Sequence, residues 1–176
     1  MPNKNRPSFD IPPLPEVGQI LSDDLGFLKY STQKRNVAYL WQFLEFQKSL
    51  FDRYYTYGSV RKSMIRSIVL TTTNIIEYLL YASVRQEGRE AKHSLRKLIN
   101  NAATFRLIDD NLKVQLHELR ELRNRIHPDN QTEELDYDSF QDSQVNWCVT
   151  LLTALKKSLA DHFEPSEVLT EPARCP

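Results

Sequence analysis

The side chains best suited to chemistry in this chain lie in one short run, residues 120–128, which reads RELRNRIHP. On a helical wheel at roughly 100° per residue, Arg120, Arg123 and His127 share one edge, whereas Arg125 points away from them. Arg123 and His127 are four residues apart, so their side chains lie one above the other, and Asn124 adds an amide beside Arg120. This run predicts a local anion site.

The same residue types permit more than binding. An arginine can hold a phosphate through two N–H donors, and an imidazole that titrates near neutral pH can give or take a proton. Together they suit the cleavage of a phosphodiester. Cations at a helix C-terminus also offset the helix dipole by roughly 0.3 to 1 kcal/mol each, so spacing alone leaves a purely structural interpretation open.

Glu77 is the second residue of interest. It lies in an otherwise mostly apolar stripe of an earlier helical pattern, formed by Leu70, Thr73, Leu80 and Val84. Since a buried carboxylate without a partner is costly, we expect Glu77 to pair with Arg120 or Arg123 and to orient it, and Asn74 can join this network. The alternative is that Glu77 reaches solvent at the edge of its helix.

The elements that must position these side chains are helices. Only four glycines occur in 176 residues, and good helix formers recur throughout. Apolar residues at three- and four-residue spacing predict four long helices and a short one. The predicted ranges are 32–57, 60–85, 92–103 (the short helix), a fourth helix that begins at Asp109 or Asp110 and is stopped by Pro128, and a last helix from near Phe140.

The predicted fold class is therefore all-α, an up-and-down bundle of four long helices plus one short helix. We predict a Pro-rich N-terminal arm over residues 1–30, a helical bundle domain over 31–163 and a C-terminal tail over 164–176. Prolines remove backbone donors and favour an extended course in the arm and tail.

Composition excludes several classes of protein. The 23 basic and 23 acidic side chains cancel, so no global field draws the molecule to nucleic acid or to a membrane. No stretch approaches the roughly 18 uninterrupted apolar residues of a membrane span, and the N-terminus does not resemble a signal peptide, so we expect a cytoplasmic protein. Two cysteines and four scattered histidines give no metal-binding or cofactor signature, and neither a metal nor a cofactor is predicted.

At residues 122–127, Leu-Arg-Asn-Arg-Ile-His, the chain resembles the HEPN family of helical domains. That family's signature is an arginine, often followed by asparagine, with a histidine four to six residues further on. Three residues separate Arg123 from His127, one fewer than usual, whereas the count from Arg120 falls within the range. Arg123 is favoured as the family arginine because Asn124 follows it, with Arg120 in support.

The resemblance implies a metal-independent endoribonuclease that acts on RNA. It makes His127 the general acid or base, Arg123 the group that holds the phosphate, and Asn124 the group that orients the phosphate or the imidazole. It also implies a homodimer in which two such helix ends face each other across a cleft. Similar proteins act in toxin–antitoxin, phage-defence and RNA-processing systems, often beside a nucleotidyltransferase-like antitoxin partner.

Two further interpretations remain. The chain can be a non-catalytic HEPN-like binding or scaffold module whose Arg/His edge holds a nucleotide, a phosphate or a protein partner, which the short spacing favours. It can also be a structural bundle in which Arg120 and Arg123 serve only Glu77 and the helix dipole.

Overall fold

The structure is a computed structural model that describes residues 13–29, 31–88, 94–126 and 140–163. Over these ranges the chain forms six α-helices and no strand, which confirms the predicted all-α class. The helices are α1 (Val17–Gln19), which continues as a π-helical turn over Ile20–Asp24, α2 (Ser31–Arg53), α3 (Gly58–Gln86), α4 (Leu95–Thr104), α5 (Asp110–Asn124) and α6 (Ser143–Phe163).

α3 is the central helix, as its wide apolar arc predicts. It packs against α2, α4, α5 and α6, and thirteen of its residues are buried. By length and composition it is also the one helix among the described residues that could cross a membrane, but 67% of its apolar window is buried inside the protein. That burial is what a core helix requires.

The long helices alternate in direction. The backbone N–H of Lys29, just before α2, donates to the side chain of Gln86 at the end of α3, so α2 and α3 are antiparallel. α3 and α6 are parallel, because Arg61 pairs with Asp142 near their starts and Glu87 contacts His162 near their ends. The start of α5 lies at the end of α6, where the Ser158 hydroxyl donates to the Leu107 carbonyl at 2.7 Å.

α2 ends at Arg53 rather than at Tyr57. Tyr57 is extended, with φ −111° and ψ 159°, and Gly58 takes a positive φ of 53° at the start of α3. The tyrosines that follow Arg53 lose side-chain freedom in a helix, which favours an early end. α6 begins at Ser143, just after the fully buried Phe140.

A tight turn joins α4 to α5 and keeps these two basic helices adjacent. Arg106 adopts a φ of 58°, and the N–H groups of Arg106 and Leu107 donate to the carbonyls of Ala103 and Ala102. This pair of hydrogen bonds is a Schellman motif. The Asp109 carboxylate then caps α5 by accepting from the Leu112 N–H at 2.7 Å, at one of the two caps predicted.

Residues 13–29 pack against the bundle, although they fall within the range predicted as an arm. Ile20, Leu25 and Leu28 are buried in the core, and Asp24 pairs with Lys156 of α6. The core therefore includes a segment that precedes residue 31. Residues 1–12 and the predicted tail lie outside the described residues.

Candidate functional site

The basic residues of α5 form a band beside its buried stripe. The three- and four-residue spacing of the leucines on α5 predicts that they face the core, and all four are buried: Leu112, Leu116, Leu119 and Leu122. Lys113, His117, Arg120 and Asn124 follow at three- and four-residue spacing along the neighbouring face. α4 packs beside α5 and adds its own basic side chains to this band.

A cleft of about 280 Å³ brings four of the predicted site residues together. Arg120, Arg123 and Asn124 reach it from α5, and Glu77 reaches it from α3. Arg125 is exposed and does not line the cleft, which agrees with its outward angle on the wheel. His127 lies outside the described residues.

Arg96, the second residue of α4, lines the same cleft together with Ser94 and Leu95. The sequence marks Arg96 only as part of a basic edge on the short helix, because its distance from α5 depends on tertiary packing. Its presence gives the cleft three guanidinium groups from two helices. The site is thus locally cationic in a chain with no net charge.

The expected ion pair between Glu77 and an arginine is not present among the described residues. Arg120 pairs instead with its sequence neighbour Glu121. Glu77 is half-buried, so water solvates its carboxylate and the drive to pair with an arginine is weak. The alternative, that Glu77 reaches solvent at the edge of α3, agrees with its exposure.

Arg120 is a partly enclosed cation of the cleft. Its side chain is 21% exposed, and its Nε is buried with no hydrogen-bond partner in the part of the chain that the structure describes. An N–H without an acceptor costs free energy in a buried setting.

The basic band changes the titration of His117. The pKa of His117 is lowered, first by burial and then by the positive charges of Arg120, Lys113 and Arg96. Its Nε2 lies 3.2 Å from the Asn100 side-chain oxygen on α4. The pKa of His117 therefore depends on the charge around the cleft.

The C-terminal end of α5 is attached to α3. A guanidinium nitrogen of Arg66 donates to the carbonyl of Ile126 at 3.4 Å. Ile126 directly precedes His127, so the backbone on the N-terminal side of the histidine is tied to the central helix.

A second cleft, of about 380 Å³, meets the first at Glu77. It is lined by Asn74, Glu77, Tyr78, Tyr81 and Leu98. Asn74 and Glu77 are candidates from the sequence, whereas the two tyrosines are not. The available signal was the spacing of residues 74, 77, 78 and 81, which places them on one face of a helix.

Neither a metal centre nor a reactive cysteine is found in the part of the chain that the structure describes. Within the described ranges no three His, Cys, Asp or Glu side chains lie close enough to hold a metal ion. Burial raises the pKa of the Cys148 thiol to about 12, so this cysteine is an inert core residue at neutral pH.

Comparison of the chain with protein-family models, with curated proteins and with solved structures finds no match.

Proposed function

We propose that this protein is a cytoplasmic, HEPN-like endoribonuclease that cleaves RNA without a metal ion. One observation carries the proposal: Arg96, Arg120 and Arg123 line a single cleft at the end of α5, close in sequence to His127. Guanidinium groups that converge from two helices suit a phosphodiester, because each offers paired donors to the phosphate oxygens.

The proposed cleavage is an internal transesterification of the RNA, with water as the partner in the proton transfer that His127 does not perform. The 2′-hydroxyl oxygen attacks the adjacent phosphorus, so the O2′–P bond forms as the P–O5′ bond breaks. A base takes the 2′-hydroxyl proton, an acid protonates the departing 5′ oxygen, and the products are a 2′,3′-cyclic phosphate and a 5′-hydroxyl. His127 is the candidate for one of these proton transfers, and Arg120 and Arg123 stabilise the charge that develops on the phosphoryl oxygens.

A cleavage assay with EDTA present tests this proposal. We expect the wild-type protein to cut single-stranded RNA and to leave 2′-O-methyl RNA intact. Arg123→Ala should lower kcat/KM by about a hundredfold to a thousandfold, because it removes a donor to the transition state, and His127→Ala should abolish cleavage. Products are identified by their cyclic phosphate ends.

Arg125→Ala is the matched control, since it removes the same charge from the same helix end but from an exposed position outside the cleft. It should retain wild-type activity. The proposal fails if the wild-type protein leaves RNA uncut, or if Arg125→Ala and Arg123→Ala lose activity equally.

A non-catalytic binding module is the second candidate. The described cleft holds cations and an amide, which are enough to bind a phosphate without breaking a bond. This function would be favoured if the wild-type protein binds 2′-O-methyl RNA but does not cleave ordinary RNA. Arg123→Ala should then weaken the binding.

The proposal includes a homodimer, and we place its interface on α2 rather than at the facing ends of α5 that the family resemblance implies. Tyr39, Phe43, Phe46 and Leu50 recur at four- and three-residue spacing along α2, and Tyr39 and Phe43 are 57% and 47% exposed. Such spacing is typical of the seam between two packed helices. No charged side chain falls within this seam, so a second copy can pair with it without burying an ion.

A further inference from the structure

The cleft lined by Asn74, Glu77, Tyr78, Tyr81 and Leu98 has the size and lining of a ligand site. Its volume of about 380 Å³ is in the range of small-molecule pockets, and it opens beside the cationic cleft through their shared residue, Glu77. A ligand that fills both clefts must carry a negative group on one side and a flat or apolar group on the other. A nucleotide has this form.

The tyrosines supply the surface for the flat group. Tyr78 is 38% exposed, and Tyr81 is half-buried with the guanidinium of Arg85 5.9 Å from its ring centroid. Leu98 of α4 is fully buried and forms an apolar wall. Unstacked RNA bases bind to aromatic faces of this kind.

Glu77 selects among the bases. Its carboxylate accepts hydrogen bonds and donates none, and it has no hydrogen-bond or ion-pair partner among the described residues. It repels a phosphate, so its partner must be a donor. Guanine presents two adjacent donors, N1–H and the N2 amino group, whereas adenine, cytosine and uracil each present one donor group on the same edge beside acceptors.

We infer that this cleft is a guanine-binding subsite, which places a guanine base against Tyr78 and Glu77 while the adjoining phosphate lies between Arg120 and Arg123. The inference rests on the proposed function, because it assigns the base preference of the same RNA-binding site. Asn74, one turn before Glu77, offers an amide to the remaining polar edge of the base.

Binding of uncleavable RNA tests the subsite independently of catalysis. The probes are four 2′-O-methyl pentamers that carry G, A, C or U at the centre of an otherwise uridine sequence, and fluorescence anisotropy measures their dissociation constants. We expect the wild-type protein to bind the G pentamer about tenfold more tightly than the other three, as expected for a well-placed pair of hydrogen bonds.

Glu77→Gln is the key variant, because it keeps the shape of the side chain but removes one acceptor and the charge. It should abolish the preference for G without weakening the U pentamer, since the loss of a negative charge favours any polyanion. Tyr78→Leu should weaken all four pentamers, whereas Tyr78→Phe should not. Unchanged thermal unfolding shows that each variant is folded.

The alternative role for Glu77, the positioning of Arg120 or Arg123, predicts a different result. Glu77→Gln would then lower cleavage equally at every base and would not change relative affinities. The guanine inference is overturned if the wild-type protein binds all four pentamers equally or binds none. Cleavage of ordinary RNA, measured separately, decides whether the proposed nuclease activity stands.

Discussion

Arg120 takes part in three interactions that together define the site. It pairs with the exposed Glu121, lines the cationic cleft, and helps to lower the pKa of His117. Its buried Nε has no acceptor within the described residues. A phosphate that enters the cleft would compensate the positive charge around His117, so occupancy of the cleft and protonation of His117 should be linked.

At the same residue scale, we predict that bound RNA changes the pKa of His117. In the free protein, burial and the neighbouring cations hold its pKa below the ordinary value near 6.5. Bound phosphates offset the charges of Arg120, Lys113 and Arg96, so an uncleavable oligonucleotide should raise this pKa. The ring C–H shift of His117, followed by NMR across the pH range with and without 2′-O-methyl RNA, measures both values.

The sign of the linkage follows from these two values. The imidazole of His117 takes up a proton more readily in the RNA complex than in the free protein. RNA affinity should therefore rise as the pH falls from the pKa of His117 in the complex toward its pKa in the free protein. His117→Gln identifies the resonance and should flatten this part of the pH dependence. A pKa at or above 6.5 in the free protein, or one that RNA leaves unchanged, would contradict the prediction.

At the scale of the element, the sequence predicts which residues share one face of a helix. It does not predict which residues of two different helices come into contact. The α5 stripe and its Asp109 cap follow from spacing within one element, and the structure confirms both. The prediction of an ion pair between Glu77 and an arginine is wrong, because a helical wheel gives the face of a side chain but not its distance from another helix. Arg96 reaches the site only through the packing of α4 against α3 and α5.

The segment before α2 shows a second limit of prediction from the sequence. Its prolines predict an extended chain, and Ile20, Leu25 and Leu28 have too little periodicity to indicate a helix face. Their burial depends on a surface that only the assembled bundle provides. A π-helical turn and contacts with α2 and α6 then fix the segment, including a hydrogen bond of 3.0 Å from the Gln42 amide to the Pro15 carbonyl.

Replacement of Leu25 tests whether this segment belongs to the core. Leu25 is fully buried, so Leu25→Ala should lower the free energy of unfolding by about 2–5 kcal/mol, through lost burial and the cavity left behind. Urea unfolding followed by circular dichroism measures the change. Leu21→Ala is the control, because Leu21 lies in the same turn but is only half-buried and should cost less. Equally small effects of the two variants would place the segment outside the core.

At the scale of the whole molecule, charge and apolar surface are segregated. The chain has no net charge, yet three arginines converge on the cleft at the end of α5. The exposed aromatic side chains Tyr39 and Phe43 lie on α2, which packs against α3 and the N-terminal segment but has few contacts with the other helices. Exposed apolar surface of this kind commonly marks an interaction site.

Self-association through the α2 seam is the prediction at this scale. The wild-type protein should sediment as a dimer, and Phe43→Asp should shift it to a monomer, because a dimer would have to bury an unpaired carboxylate at the centre of the seam. Sedimentation velocity over a wide range of protein concentration measures the distribution.

Val60→Asp is the control for this experiment, since Val60 is 57% exposed but lies in the first turn of α3 rather than on α2. An acidic residue near a helix N-terminus is also tolerated by the helix dipole. Val60→Asp should leave the dimer intact. The seam is ruled out as the interface if the wild-type protein stays monomeric at every concentration, or if Phe43→Asp does not weaken the dimer. Cleavage of RNA by a monomeric protein would show that the nuclease site is complete within one chain.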